Sequence, residues 1–128
     1  MTKLVLSYNL PAKKAAKIRM IATRLGAKVR AVEKTEQQQK LAFFLENYDT
    51  DVAAPFASPF DAEMLVFAFF SQPELDVFLQ QLRVQKIPIS LKAVLTQTNQ
   101  DWTSAELYAQ LCAERDAIAV GIQLHSTE

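Results

Sequence analysis

Apolar residues fall into four short continuous runs, separated by stretches with three- and four-residue spacing, and that alternation predicts an α/β fold. Leu4, Val5 and Leu6 are consecutive, which suits a strand over 3–8 covered on both faces. Asn9-Leu10-Pro11 breaks the run: Asn9 can cap a helix, and Pro11 is tolerated in a first turn that needs no amide donor. The helix is expected to run to about Leu25, with Ala15, Ile18, Ile21, Ala22 and Leu25 inward and Gly26 as its left-handed stop. A second strand follows at 27–32, and a strand pair joined by one helix is expected to be a parallel, right-handed crossover. Thr35 and Gln38 at capping-box spacing predict a helix to 48, with Leu41, Phe44, Leu45 and Tyr48 inward and Gln37, Gln38 and Gln39 on its exposed surface.

Residues 49–63 read as a crossing segment held against the body by Phe56 and Phe60. Residues 64–70 form the most apolar run and are expected at the sheet centre. Ser71 with Glu74 marks a capping box, and Phe70 with Leu75 a hydrophobic staple, ahead of a helix that buries Leu75, Phe78, Leu79 and Leu82. The fourth strand is expected over 87–95, with Pro88 near its start. Thr103 with Glu106, and Trp102 on Leu107, repeat the cap signals before a last helix with Leu107, Leu111 and Cys112 inward. The tail from 121 carries no strong signal.

The halves match at an offset of 62, which lays Leu4-to-Pro11 over Val66-to-Pro73 and Val29-Arg30-Ala31-Val32 over Leu91-Lys92-Ala93-Val94. The expectation is a single domain over 1–128, with βαβ halves at 3–48 and 64–118. They form one four-stranded, mainly parallel sheet of order 2-1-3-4 with helices on both faces. The alternative is a mixed sheet whose central pair is antiparallel. In the parallel form a ligand crevice would lie between the 8–11 and 70–73 turns.

Composition narrows function mainly by exclusion. Half of the 128 residues are apolar and 22% charged, as in ordinary globular proteins. The single cysteine, Cys112, rules out an internal disulfide, and no apolar run approaches a membrane span, so a cytoplasmic protein is expected. The net charge of zero conceals ten Lys/Arg against five Asp/Glu in residues 1–60 and four against nine in the rest. Such halves attract each other as readily as they attract nucleic acid.

With glycine only at 26 and 121, no phosphate-cradling loop is present. His125 and Cys112 do not make a zinc site, and no nucleophile elbow accompanies His125, so no catalytic residue, metal or cofactor is assigned. The carboxylate pairs Asp49/Asp51, Asp61/Glu63 and Glu74/Asp76 suit solubility and helix-dipole roles. Lys13, Lys17 and Arg24 lie within roughly 40° on one helix face; a solvated ridge is the plain account, and phosphate contact the sharper one. Arg30 and Lys92 stand at matched repeat positions in apolar strands, as ion-pair partners or as two cations facing one anion. Thr96, Thr98, Asn99 and Trp102 follow the fourth strand, either as a helix cap or as hydrogen-bonding groups for a small polar ligand beside Lys92.

The run Met64-Leu65-Val66-Phe67-Ala68-Phe69-Phe70, followed by Leu91-Lys92-Ala93-Val94-Leu95-Thr96-x-Thr98-Asn99-x-x-Trp102-Thr103, resembles the bacterial domain of unknown function 3783 family over about 64–114. The Leu4-to-Pro11 strand and turn is similar to the N-terminal half that often precedes that domain. Gln97 stands where the family pattern has proline, and the Pro-Leu-Gly segment common between the halves is missing. The resemblance implies no activity and no site residues. The leading functional expectation is therefore a non-enzymatic binding or regulatory module with a protein partner or a second copy of itself. Anion or metabolite binding at the crevice comes second, and nucleic-acid binding through the basic half is the least favoured.

Overall fold

The computed structural model describes residues 2–37, 40–45 and 60–119. Expectations placed on Gln38 and Gln39, on the crossing segment with Tyr48, Asp49, Asp51 and Phe56, and on the tail with His125 lie outside these residues. The strands are β1 (Leu4–Tyr8), β2 (Lys28–Val32), β3 (Met64–Ala68) and β4 (Leu91–Val94); the helices are α1 (Ala12–Arg24), α2 (Gln72–Val84) and α3 (Ser104–Ala119).

The sheet order is β2-β1-β3-β4, as the hydrophobic pattern implies. Both helix-linked pairs are parallel, and the central β1–β3 pair is antiparallel, the alternative arrangement. Leu4 therefore faces Ala68, Leu6 faces Val66 and Tyr8 faces Met64. This register moves the turn after β1 and the turn after β3 to opposite ends of the sheet, so the crevice expected between them does not form.

All five β3 residues are buried, because apolar layers cover both faces of the central strand. On one face α1 and α2 pack Ile18, Ile21, Phe78 and Leu82 against Val5, Leu65 and Phe67. On the other, Leu41, Phe44, Phe60 and Leu107 cover Leu6, Tyr8, Met64 and Val66.

Local signals explain most boundaries. Ser71 Oγ accepts from the Glu74 amide and Glu74 accepts from the Ser71 amide, closing the expected capping box on α2. Thr103 and Glu106 do the same for α3. Helix α1 differs from expectation. Its N-cap is Pro11, while Asn9 adopts a left-handed conformation (φ 62°) and its side-chain amide donates to the carbonyls of Phe60 and Ala62, both at 2.9 Å. Asn9 thus ties the end of the crossing segment to the end of β1. Phe60 completes that attachment by stacking on Tyr108 at 4.3 Å between ring centroids.

In the described part of the helix expected over 35–48, residues 35–37 and 40–45, two 3-10 turns stand instead, Lys34–Glu36 and Leu41–Phe44. Lys40 between them is extended (ψ 150°) and bridges to Thr103, and the Leu41 amide donates to the Trp102 carbonyl at 2.8 Å. Hydrogen bonds to distant residues have taken the place of the i→i−4 ladder. Gln37, expected on an exposed helix surface, is fully buried and brackets the backbone of Phe60.

The fourth strand is shorter than expected. Pro88 lacks an amide donor, and Ile87 and Ile89 enter the core from an irregular segment, so the strand begins only at Leu91.

Among the described residues, three ion pairs join the basic first half to the acidic second: Lys3–Glu74, Lys14–Glu63 and Lys34–Asp61. The hydrogen bond from Lys3, with those from the Ser71 amide and hydroxyl, holds the Glu74 carboxyl down at about 2, against an ordinary 4.5. A depressed carboxylate stabilises the fold fully above its unfolded value and loses that contribution as pH falls through the folded one. Thermal unfolding of Glu74→Gln should accordingly show a flatter decline between pH 4.5 and 2 than the parent chain. Parallel declines would show that the Lys3 contact contributes nothing to acid stability.

Candidate ligand groove

The two βαβ units follow the same path, and the places where they part locate the site. Each has a five-residue first strand and a thirteen-residue helix. Left-handed residues recur sixty positions apart: Asn9 with Phe69, and Gly26 with Lys86. Both helices close the same way, with Ala27 donating to the Ala22 carbonyl and Ile87 to the Leu82 carbonyl. After that point the units diverge. Leu4 pairs with Lys28 but Met64 with Leu91, so the second unit holds three extra residues, Pro88, Ile89 and Ser90.

The sequence match at 62 followed the prolines, but Pro11 is an N-cap and Pro73 lies one step inside its helix. Strand pairing makes Lys92 the counterpart of Val29, through Leu65 and Val5, and Arg30 the counterpart of Ala93. Arg30 and Lys92 consequently point to opposite faces of the sheet. Arg30 donates to Glu36 at 2.7 Å and lies 4.7 Å from the centre of the Phe44 ring. Lys92 stands beside α2.

Two of the extra residues, Pro88 and Ile89, line a groove of about 640 Å³ between the C-terminal turn of α2 and β4. Its floor is aliphatic: Leu79, Leu82, Ile87, Pro88 and Ile89. Its rim is Arg83, Lys86 and Lys92. No carboxylate, hydroxyl, thiol or imidazole lines it, so the groove offers charge and apolar surface but no proton-transfer or nucleophilic group. Lys92 Nζ donates to the Ile89 carbonyl at 3.1 Å, and neither Arg83 nor Lys86 is ion-paired within the described residues. Lys86 is held at φ 56°, where Gly26 stands in the first unit. A side chain there costs roughly 1–2 kcal/mol relative to glycine.

The other candidates occupy different places. Asn99 is buried, accepting from the Thr96 amide (2.8 Å) and donating to the Val94 carbonyl (3.0 Å), while Thr96 Oγ accepts from the Asn99 amide (3.0 Å). Their side chains knit the loop to the end of β4. Thr98 is exposed, and Trp102 packs half-buried on the core face opposite the groove. Lys13 and Lys17 lie at the start of α1 in a smaller cavity of about 210 Å³, lined also by Pro11, Lys14, Lys86 and Ile87. Arg24 is at the far end of that helix.

Lys92 is thus brought together with Arg83 and Lys86, which the sequence did not single out, while Arg30, Thr98 and Trp102 stand elsewhere. The three-residue excess before β4 was the available signal, and a proline-anchored alignment hid it. Among the described residues no group of three or more His, Cys, Asp or Glu is placed to hold a metal, and no helix is long and apolar enough to cross a membrane.

No curated protein and no solved structure matches the chain. Residues 63–118, which carry β3, α2, β4, nearly all of α3 and every residue lining the larger groove, match the model of the family described as Domain of unknown function (DUF3783).

Proposed function

We propose that this chain is a non-enzymatic binding module whose ligand is an anion with an aliphatic part, taken into the groove between α2 and β4. The observation that carries the reading is an aliphatic floor ringed by Arg83, Lys86 and Lys92 with no carboxylate lining it. Cations that only solubilise a surface need no common hollow, and an apolar hollow of this size falls within the usual range for ligand sites. Arg83 can hold a carboxylate or phosphate through two parallel N–H donors, and the lysines add charge without fixed direction.

Calorimetric titration with decanoate, acetate and decanol separates the contributions. Decanoate is expected to bind at least about tenfold more tightly than either control, and Arg83→Glu with Lys92→Glu to remove that margin without lowering the unfolding midpoint. Equal binding of decanol and decanoate, or an undiminished margin in the double variant, would sink the reading.

A further inference from the structure

We infer that the occupant of the groove is an extended acidic segment of another protein, with aliphatic side chains set between its carboxylates. The inference rests on the groove being an anion site and extends it to a second cavity. The larger and smaller hollows share Lys86 and Ile87, so they form one track from β4 to the first turn of α1. Lys13 and Lys17 flank the far end of that track, and neither is ion-paired among the described residues. Lys14 is committed to Glu63 at 2.6 Å and to the Pro88 carbonyl at 2.7 Å, which holds the start of α1 beside the segment that precedes β4. A small anion is satisfied at one end; cations at both ends with an apolar middle match a chain that alternates charge and aliphatic groups.

Two of these cations stand against local stability. Lys13 is in the first turn of α1, which has no acidic residue to balance it, where the helix dipole disfavours positive charge. Lys86 keeps a left-handed backbone that its counterpart meets with glycine. Local rules broken twice along one track point to selection for contact rather than for folding.

The sheet edge suits a peptide as well. Leu91 and Leu95 direct their amides to β3, so Lys92 and Val94 turn theirs outward, and β4 has no further strand beside it among the described residues. Asn99 already caps the Val94 carbonyl, which leaves a short edge beside Lys92 for main-chain pairing. Nucleic acid fits less well, since no aromatic side chain lines either hollow for bases to stack on.

Fluorescence anisotropy with a short labelled peptide of glutamates flanking leucines tests the inference, alongside the same peptide with alanine for leucine, an RNA oligonucleotide and anionic phospholipid vesicles. The leucine peptide should bind most tightly and weaken with salt. Lys13→Glu with Lys17→Glu should loosen it about tenfold while leaving the unfolding midpoint undiminished. Lys86→Gly should also loosen it, with a raised midpoint. Equal binding of the alanine peptide, tighter binding of RNA or vesicles, or indifference to the Lys13/Lys17 change would overturn the inference. Decanoate binding without peptide binding would overturn it alone; loss of both would remove the groove reading as well.

Discussion

Phe78→Ala is expected to destabilise the fold by about 3–5 kcal/mol. Phe78 is fully buried at the centre of the layer between α2 and the sheet. Its ring meets Phe67 edge-on at 5.0 Å and Phe70 at 5.9 Å, so truncation removes two aromatic contacts as well as apolar burial. Backbone on both sides limits collapse: β3 is fixed by a strand on each side, and α2 by its capping box. A domain of this size has roughly 5–15 kcal/mol of stability to lose, so the variant should sit close to its unfolding threshold. Urea unfolding measures the difference directly. A loss below about 1.5 kcal/mol would mean that the three rings are not the centre of this layer.

Gln37→Ala should cost about 1–3 kcal/mol, more than its place in a run of glutamines suggests. The Gln37 amide oxygen accepts from the Phe60 amide at 2.8 Å, and its nitrogen donates to the Phe60 carbonyl at 3.2 Å. Its own carbonyl accepts from Ala105 at 3.1 Å. Truncation strands the Phe60 amide away from water, while the Phe60 carbonyl keeps the bond from Asn9, and a stranded group costs more than the bond it loses. Gln37→Leu separates the causes, since it restores apolar volume but not the bracket. Equal losses for alanine and leucine, read from denaturant midpoints, identify the orphaned Phe60 amide as the origin. A leucine variant as stable as the parent chain would assign the effect to volume alone.

The elements that could be read from the sequence are those whose signals are local. Ser71 with Glu74 and Thr103 with Glu106 describe their own surroundings and are realised, and the apolar run at 64–70 is a strand as far as Ala68, where the left-handed Phe69 ends it. The strand order could also be read, because two helix-linked strand pairs can share a sheet in few ways. What escaped depends on distant partners. Nothing near Gln37 announces that Phe60 will need it, and nothing near Lys40 announces its bridge to Thr103. Of the site, Lys92 stood out as a cation in an apolar strand. Arg83 and Lys86 carry no signal of their own in the sequence, since a cation near a helix C-terminus is favourable for dipole reasons alone. They meet Lys92 in one hollow only through the packing of α2 beside β4.

The central strand pairing carries a consequence for origin. Exchanging the two units turns the pair Leu4–Ala68 into Tyr8–Met64, which is itself a pair of the same ladder, and Leu6–Val66 sits at the pivot. The seam therefore has the self-complementary form of an isologous contact between identical subunits. A single ancestral βαβ unit would meet a second copy of itself through these same pairs, so duplication and fusion yields this sheet without any new interface. The two units now differ on one side of that symmetric frame: the second has three more residues before β4, Lys92 where the first has Val29, and Lys86 where the first has Gly26.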